Sequence, residues 1–385
     1  MTQTTEEIET SGNFDLLNLR TNFTAIIEPT HSCNLECKYC YVNKNAEKGR
    51  MNIKTLENSI RNVSEFIGKR KIIDFLWHGG EPLLMKLDFF KEVINIQKGM
   101  GEEYKFDNAI QTNGTLITEE ITDFFKDYKF NVGLSLDGPE ELNNKTRIYK
   151  HVKNGSKNTF KDILNSMKIL RDRDMEADVI VTLNKQNIKN IKLIYQFLKD
   201  YKINAKFNPL VCSGRTIENY EQLAISPEEY GEAKLNLFDM WFNDERPPHL
   251  RCLEGFLGNI LSKNHFHECT FSDSCQKSIL SIGPSGNVYP CGEFNGIEEF
   301  RYGNINKENL KKILLHPMRE KLIKRAENIE ECLNCEYKKL CHGGCMRNAY
   351  AYRGNVMDKD PYCPAYKSLF KHISNKIFEN GCKEV

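Results

Sequence analysis

The stretch CNLECKYCY, Cys33 to Tyr41, sets three cysteines at the spacing C-x3-C-x2-C shortly after an apolar run, FTAIIEP (23–29). Thiolates gathered this closely bind soft metals. Four would complete a tetrahedral zinc site or ligate every iron of a 4Fe-4S cluster. Three leave one iron without a protein ligand, and that iron can take a small molecule through nitrogen and oxygen donors. The alternative is a zinc knuckle that borrows His31 as its fourth ligand. Such a knuckle alone does not predict the glycine-rich loops found further along the chain.

Outward from this loop, strand-like and helix-like segments alternate. β-rich runs occur at 23–29, 72–80, 106–114, 130–138, 177–184 and 204–211, with helical patterns between them such as 55–70, 87–99 and 160–174. This rhythm specifies parallel strands with helical crossovers. Six units are short of an eight-unit barrel. Several runs end in polar or glycine-rich loops: HGGEP (78–82), QTNG (111–114) and SLDGP (135–139). Each alone reads as a turn. In a parallel barrel they gather at one mouth, where ligands bind. The expected organisation is an N-terminal arm (1–21), a partial barrel (22–214), a helical bridge (215–267), a cysteine-rich domain (268–364) and a C-terminal helix (365–385).

Composition narrows the function classes. Lys+Arg (54) nearly equals Asp+Glu (53) in the 385 residues, so no basic stripe points to nucleic acid. Mean hydropathy is −0.55, and no run of 18 apolar residues suggests a membrane span. The opening MTQTTEEIETSGNFD lacks the basic and apolar regions of a signal peptide. A cytoplasmic location is therefore expected. The 14 cysteines then read as metal or redox ligands more than as disulfides.

With the C-x3-C-x2-C motif at Cys33, Cys37 and Cys40, aromatic Tyr39 before the last cysteine and a six-unit β/α rhythm, the chain resembles the radical S-adenosylmethionine (SAM) enzymes. The resemblance implies an α/β fold built on a partial (βα)6 TIM barrel. It also implies a 4Fe-4S cluster whose open iron chelates SAM and cleaves it to methionine and a 5′-deoxyadenosyl radical. The cofactor carries this chemistry; the protein orients it. Carried over by motif, Gly79, Gly80 and Glu81 of GGEP, Asn113 of QTNG, Ser135 of SLDG, Arg147 downstream and Tyr41 contact SAM. Glycines let backbone approach a ligand, and Glu81 can accept from the SAM ammonium group. Each has a plainer reading: Glu81 as a helix-start acid, Asn113 as a left-handed turn residue, Arg147 as a surface ion pair.

Eight cysteines lie between Cys269 and Cys363, the ligand count of two further 4Fe-4S clusters; a zinc ribbon is the alternative, with CLNCEYKKLCHGGC and His342 in reach. Their pattern, C-x10-G-x4-C (from Cys275) followed by C-x2-C-x5-C-x3-C (from Cys332) and a final C, resembles the SPASM extension of some radical SAM enzymes. That resemblance implies interleaved ligation: Cys269, Cys275, Cys291 and Cys345 on one auxiliary cluster, and Cys332, Cys335, Cys341 and Cys363 on the other. Spacing alone leaves adjacent grouping equally open. Cys212, Cys252 and Cys382 are left as buried free thiols. The layout is similar to that of anaerobic sulfatase-maturating enzymes. Those carry an aspartate after the third ligand of the first auxiliary cluster and His-Asp downstream of SLDGP; here the positions hold Gly292, with Glu293 next, and Asn143-Asn144. Glu293 is the candidate base, offset by one residue on an expected strand, and a solvent-facing glutamate is the plainer reading. The expected function is a radical SAM maturase. It removes a hydrogen from a residue of a ribosomal peptide or protein and forms a crosslink or oxidised product, with flavodoxin or ferredoxin as reductant. Formylglycine formation and a non-catalytic zinc-binding interaction module are the alternatives.

Overall fold

The computed structural model describes residues 23–150, 158–262 and 268–379. The expected arm and Cys382 lie outside them. Six parallel strands form the barrel sheet: β1 (Thr24–Ile27), β2 (Ile72–Trp77), β3 (Lys105–Thr112), β4 (Asn131–Ser135), β5 (Ala177–Leu183) and β6 (Ala205–Pro209). Five fall within the β-rich runs read from the sequence, and β3 begins one residue before its run, at Lys105. In β5, ADVIVTL, residues 177, 179, 181 and 183 are buried and their neighbours half-buried, as expected of strands covered on both faces. Crossover helices start where a polar cap supplies the missing acceptor. Asn52 accepts from Thr55 N to open Ile53–Ile67, and Thr118 caps Glu119–Asp127, whose first turn is acidic. Trp77, Phe89, Phe90, Phe125 and Phe130 pack edge-to-face or stacked beneath the sheet, and Trp77 Nε1 donates to the buried Asn108 at 3.0 Å.

The cysteine-rich region is not a separate sheet. β7 (Ile279–Ile282) pairs in parallel with β1, Thr24 opposite Ile279, and β8 (Asn287–Tyr289) and β9 (Gly303–Asn304) follow antiparallel. The strand order is β6-β5-β4-β3-β2-β1-β7-β8-β9. The open edge of the barrel at β1 is thereby paired, and the end of β7–β8 stands beside the C-terminal end of β1. Helices Pro227–Phe242 and Cys363–Glu379 pack together closely: a Cβ on Gly231 would stand 3.2 Å from the Cα of Ala365. The terminal helix therefore begins at Cys363, two residues before the boundary expected from sequence.

Candidate active site at the barrel mouth

The three-cysteine loop follows β1 and is pinned from several strand ends. Gly80 N and Glu81 N donate to Thr30 O and Ser32 O at 2.9 Å, and Glu36 N and Lys38 N donate to Ile148 O and Thr146 O at 2.7 and 2.9 Å. A segment beyond β6 completes the grip. Ser213, Arg215, Thr216 and Asn219 together donate to all five carbonyls from Cys37 to Tyr41. Gly214 lies within this segment because a Cβ there would stand 2.3 Å from Cys40 O. Burial pushes the Cys33 thiol up to about 12 and Cys37 up to about 11. Cys33 Sγ accepts from Leu35 N at 3.3 Å and from Asn113 Nδ2 at 3.6 Å. Three thiols in an N–H-lined loop, with no fourth cysteine beside them among the described residues, fit a cluster with one open iron; its charge would offset the burial that holds the thiols protonated.

Of the residues carried over as SAM contacts, Tyr41, Gly79, Gly80, Glu81, Asn113 and Arg147 lie in or against this loop, and Ser135 stands at the end of β4. Glu81 is fully buried. Its carboxylate accepts from Leu83 N, Thr112 Oγ1 and Asn113 N at 3.0, 2.7 and 2.8 Å, and burial raises its pKa. It caps the short helix Pro82–Met85, so the helix-start role is met, and one acceptor position remains. Asn113 Nδ2 reaches Asn34 Oδ1 at 2.8 Å; the left-handed residue of this turn is Gly114, not Asn113. Gly79 and Gly80 are tight against protein: their added Cβ atoms would stand 2.6 Å from Thr30 O and 2.2 Å from Ser32 O. Ser135 Oγ accepts from Gln111 at 3.1 Å, and Tyr41 OH lies 3.0 Å from His78 Nδ1. Arg147 is buried rather than a surface ion pair. Its guanidinium donates to Tyr39 OH at 2.5 Å, and Tyr39 OH in turn donates to Asp137. Arg147 Nε is buried without a protein partner.

The eight C-terminal cysteines sort by proximity into two sets. Cys269 bears electrostatically on Cys275 and Cys345, and Cys275 and Cys345 on Cys291. Cys332, Cys335, Cys341 and Cys363 line one small cavity with Tyr366 and Phe370. The interleaving has a backbone cause. His342, Gly343 and Gly344 are three consecutive left-handed residues (φ 52°, 84° and 71°), which reverse the chain between Cys341 and Cys345. Glycine suits the positive φ at both 343 and 344, and at 344 a Cβ would also stand 2.4 Å from the Cβ of Asp360. Among the described residues, no group of three or more His, Cys, Asp or Glu is placed to hold a single metal ion. A four-iron cluster gives each thiolate its own iron and requires no such single point.

Between the Cys40 and Cys291 ends lies a group of charged residues. Glu28, one residue past β1, is 1% exposed; its Oε2 meets His31 Nε2 at 2.6 Å and accepts from Asn295, while Oε1 is buried without a partner. His31 Nδ1 is 3.0 Å from Glu47 O, so both ring nitrogens face acceptors, and its pKa is raised against the desolvation of its site by the Glu28 bond. Glu293 Oε2 is likewise buried and unpartnered; burial raises its pKa, opposed by Arg347. Glu293 lies in a one-turn helix, Gly292–Phe294, not on a strand, so the argument from strand alternation does not apply; the residue is half-buried, with its Oε2 turned inward. Tyr41 experiences the charges of Glu28, Glu293, Cys40 and Cys291 together.

Residues 27–198 match the radical SAM superfamily, and residues 269–336 match the SPASM iron–sulfur cluster-binding domain. This chain carries a radical SAM domain followed by a SPASM domain. It is 29% identical over 370 residues to a cysteine-type anaerobic sulfatase-maturating enzyme of Clostridium novyi, covering 92% of this chain and 96% of that one. It is 27% identical to a serine-type enzyme of Bacteroides thetaiotaomicron, covering 89% and 87%. A solved structure of anSMEcpe with bound AdoMet and a Cp18Cys peptide superposes with a TM-score of 0.80 at 26% identity, over 93% of this chain and 99% of that one.

With the two domains come a SAM-binding 4Fe-4S cluster on the barrel and auxiliary clusters on the SPASM side. The zinc-knuckle use of His31 finds no support, because both its nitrogens are engaged by protein oxygens. Asn143 and Asn144, where the sulfatase-type pattern has His-Asp, are absorbed structurally: Asn143 is fully buried between Asp137 N and Thr159, and Asn144 accepts from Phe160 N. Of the leftover thiols, Cys252 is buried with Lys234 Nζ at 2.9 Å. Cys212 is only half-buried, against expectation, because it stands at the open end of β6. Sequence reading missed Glu28, hidden at the end of an apolar run, and the clamp at 213–219. No helix of the described residues is long and apolar enough to cross a membrane.

Proposed function

We propose that this radical SAM enzyme is a maturase that modifies a residue of a peptide or protein substrate. Cys33, Cys37 and Cys40 hold the barrel cluster. Tyr41, Gly79, Gly80, Glu81, Asn113, Ser135 and Arg147 hold SAM. The interleaved cysteine sets hold two auxiliary 4Fe-4S clusters. When bound, these groups supply a 5′-deoxyadenosyl radical and an acceptor for the electron left on the substrate. The chain's own work is to bind and orient the peptide at the mouth, exclude water and receive a proton there; Glu293 is the carboxylate to which sequence points. Flavodoxin or ferredoxin is the reductant, and the cytoplasm is the location.

The observation that carries this reading is the pair of buried, unpartnered carboxylate oxygens of Glu28 and Glu293 between the two cysteine regions. A site facing two such acceptors takes a donor-bearing substrate. Oxidation of cysteine or serine to formylglycine is the second reading. It is favoured by the end-to-end match to both cysteine-type and serine-type sulfatase-maturating enzymes. The test is anaerobic turnover with dithionite, SAM and three kinds of peptide: one with a cysteine, one with a serine, and those encoded beside the gene. The expected result is 5′-deoxyadenosine and methionine above the peptide-free background, with a modified peptide by mass spectrometry. If no peptide raises either compound, the maturase reading is wrong. If only the neighbouring peptides react, and with a mass change other than that of cysteine or serine to formylglycine, formylglycine formation is excluded.

A further inference from the structure

We propose that Glu28 is a catalytic residue: its Oε1 receives the heteroatom proton of the substrate residue being oxidised. The inference rests on the maturase reading and deepens it. Glu28 stands at the C-terminal end of β1, the end at which the cluster loop and the GGEP loop open. Its Oε2 is fully used. His31 holds it at 2.6 Å, and Asn295, itself tied to Ser281 Oγ at 3.1 Å, donates to it. These contacts fix the carboxylate plane and leave Oε1 free. That oxygen is buried and no protein group donates to it. A buried acceptor without a donor is unfavourable, and the deficit is removed when a ligand brings one.

The surroundings say which ligand. A Cβ built on Gly292 would stand 2.3 Å from Glu28 Oε1, so the oxygen occupies the space a side chain after Cys291 would fill. On the other side, a Cβ on Gly79 would be 3.1 Å from the Cβ of Glu28. The Glu28 side chain is thus bordered by two glycines, Gly79 of the barrel loop after β2 at its Cβ and Gly292 of the SPASM loop at its carboxylate. Tyr41, next to Cys40, experiences both Glu28 and Cys291. A substrate residue placed here lies between the radical source and the electron acceptor. Glu293, the other unpartnered carboxylate, has a cation facing it in Arg347, whose Nε also donates to Glu293 O at 2.8 Å.

The substrate C–H hydrogen atom passes to the 5′-deoxyadenosyl radical from SAM. The S–H or O–H proton passes to Glu28 Oε1. The remaining electron goes to an oxidised iron–sulfur cluster of the SPASM domain, and the carbon–heteroatom single bond becomes double.

The test uses reconstituted full-length protein, dithionite, SAM and two synthetic peptides, one with a single cysteine and one with a single serine. In Glu28→Gln, the SAM-induced change in the spectrum of the reduced cluster and 5′-deoxyadenosine formation persist. Oxidised peptide falls about 100-fold or more, the range for removal of a general base. Gly292→Asp alone lowers the melting temperature, because its side chain meets Glu28. Combining it with Glu28→Ala restores the melting temperature and returns oxidised peptide above the level of Glu28→Ala alone, because the carboxylate has been moved from strand to loop. Wild-type product levels in Glu28→Gln overturn the proposal. So does loss of the SAM-induced spectral change, which would assign Glu28 to SAM, or a Gly292→Asp melting temperature that Glu28→Ala does not change. If the wild type oxidises neither peptide, the maturase reading itself falls and the proposal with it.

Discussion

The two cysteine regions are built in opposite ways. The barrel loop is held by residues far away in sequence: all five carbonyls from Cys37 to Tyr41 accept from residues 213–219, more than 170 positions on. The SPASM cysteines are set by short local turns, such as Cys335 N to Cys332 O at 3.2 Å, Gly344 N to Cys341 O at 3.0 Å and Cys363 N to Asp360 O at 3.0 Å. The first arrangement inherits its stiffness from a sheet with a large apolar core. The second has elements of three or four residues over most of its length, too short to be stable alone. The barrel loop is thus preformed for its cluster, whereas the SPASM loops depend on theirs.

Removal of the metal makes the largest difference between the two. Anaerobic chelation of iron is expected to raise amide hydrogen exchange sharply across the cysteine turns at 269–277 and 332–345 while β7 and β2 to β5 stay protected by the shared core, since ligand binding energy is folding energy where short turns carry little core of their own. Equal loss of protection in both regions would break the comparison. A paired result sharpens it. Cys33→Ala should abolish SAM cleavage and lower iron by about four of about twelve per chain, with the exchange pattern of the SPASM region unchanged.

A smaller effect is expected at Asp360, the knot of the SPASM region. It is fully buried, and accepts from Cys345 N and Tyr362 N at 2.9 Å, Asn348 Nδ2 at 3.0 Å and Tyr366 OH at 3.2 Å. It touches both cysteine sets, since its carbonyl accepts from Cys363 N. Asp360→Ala strands these donors in the interior, where one lost partner costs on the order of 1–3 kcal/mol. The melting temperature should drop and both auxiliary clusters should be lost together, read as iron falling to about four per chain. Loss of one cluster only would show that the two sets are held independently.

How much of this was legible in the sequence follows from the same contrast. Six strands were readable because β-branched and apolar runs alternate with helical patterns, and periodicity reports local burial. The pairing of β1 with β7 was not, because register between strands some 250 residues apart leaves no periodic trace. The clamp at 213–219 acts on backbone carbonyls, which any sequence supplies. The interleaved grouping of the cysteines was expected from resemblance alone; the left-handed run at His342-Gly343-Gly344 that produces it is written in the sequence as HGG and reads as a chain reversal only once the neighbouring side chains are known. Glu28 was hidden by its own run, FTAIIEP, in which one acid after five strand residues looks like a strand end.

The smallest effect tests the barrel side. Tyr39, between two of the cluster cysteines, is buried with its hydroxyl between Asp137 and Arg147, and Asp137 is also held by Thr182 N at 3.0 Å and Thr146 Oγ1 at 3.3 Å. Tyr39→Phe removes one linker and leaves a carboxylate and a guanidinium that can still attract each other, so the cost should be about 1 kcal/mol, that of a single hydrogen bond. The loop backbone remains gripped from 213–219. Cluster content should therefore match the wild type, while the rate of SAM cleavage falls modestly because Arg147, whose Nε has no protein partner, is less firmly aimed. If Tyr39→Phe instead loses the barrel cluster, that single hydroxyl and not the distant clamp sets the loop, and the preformed character assigned to the barrel side is wrong.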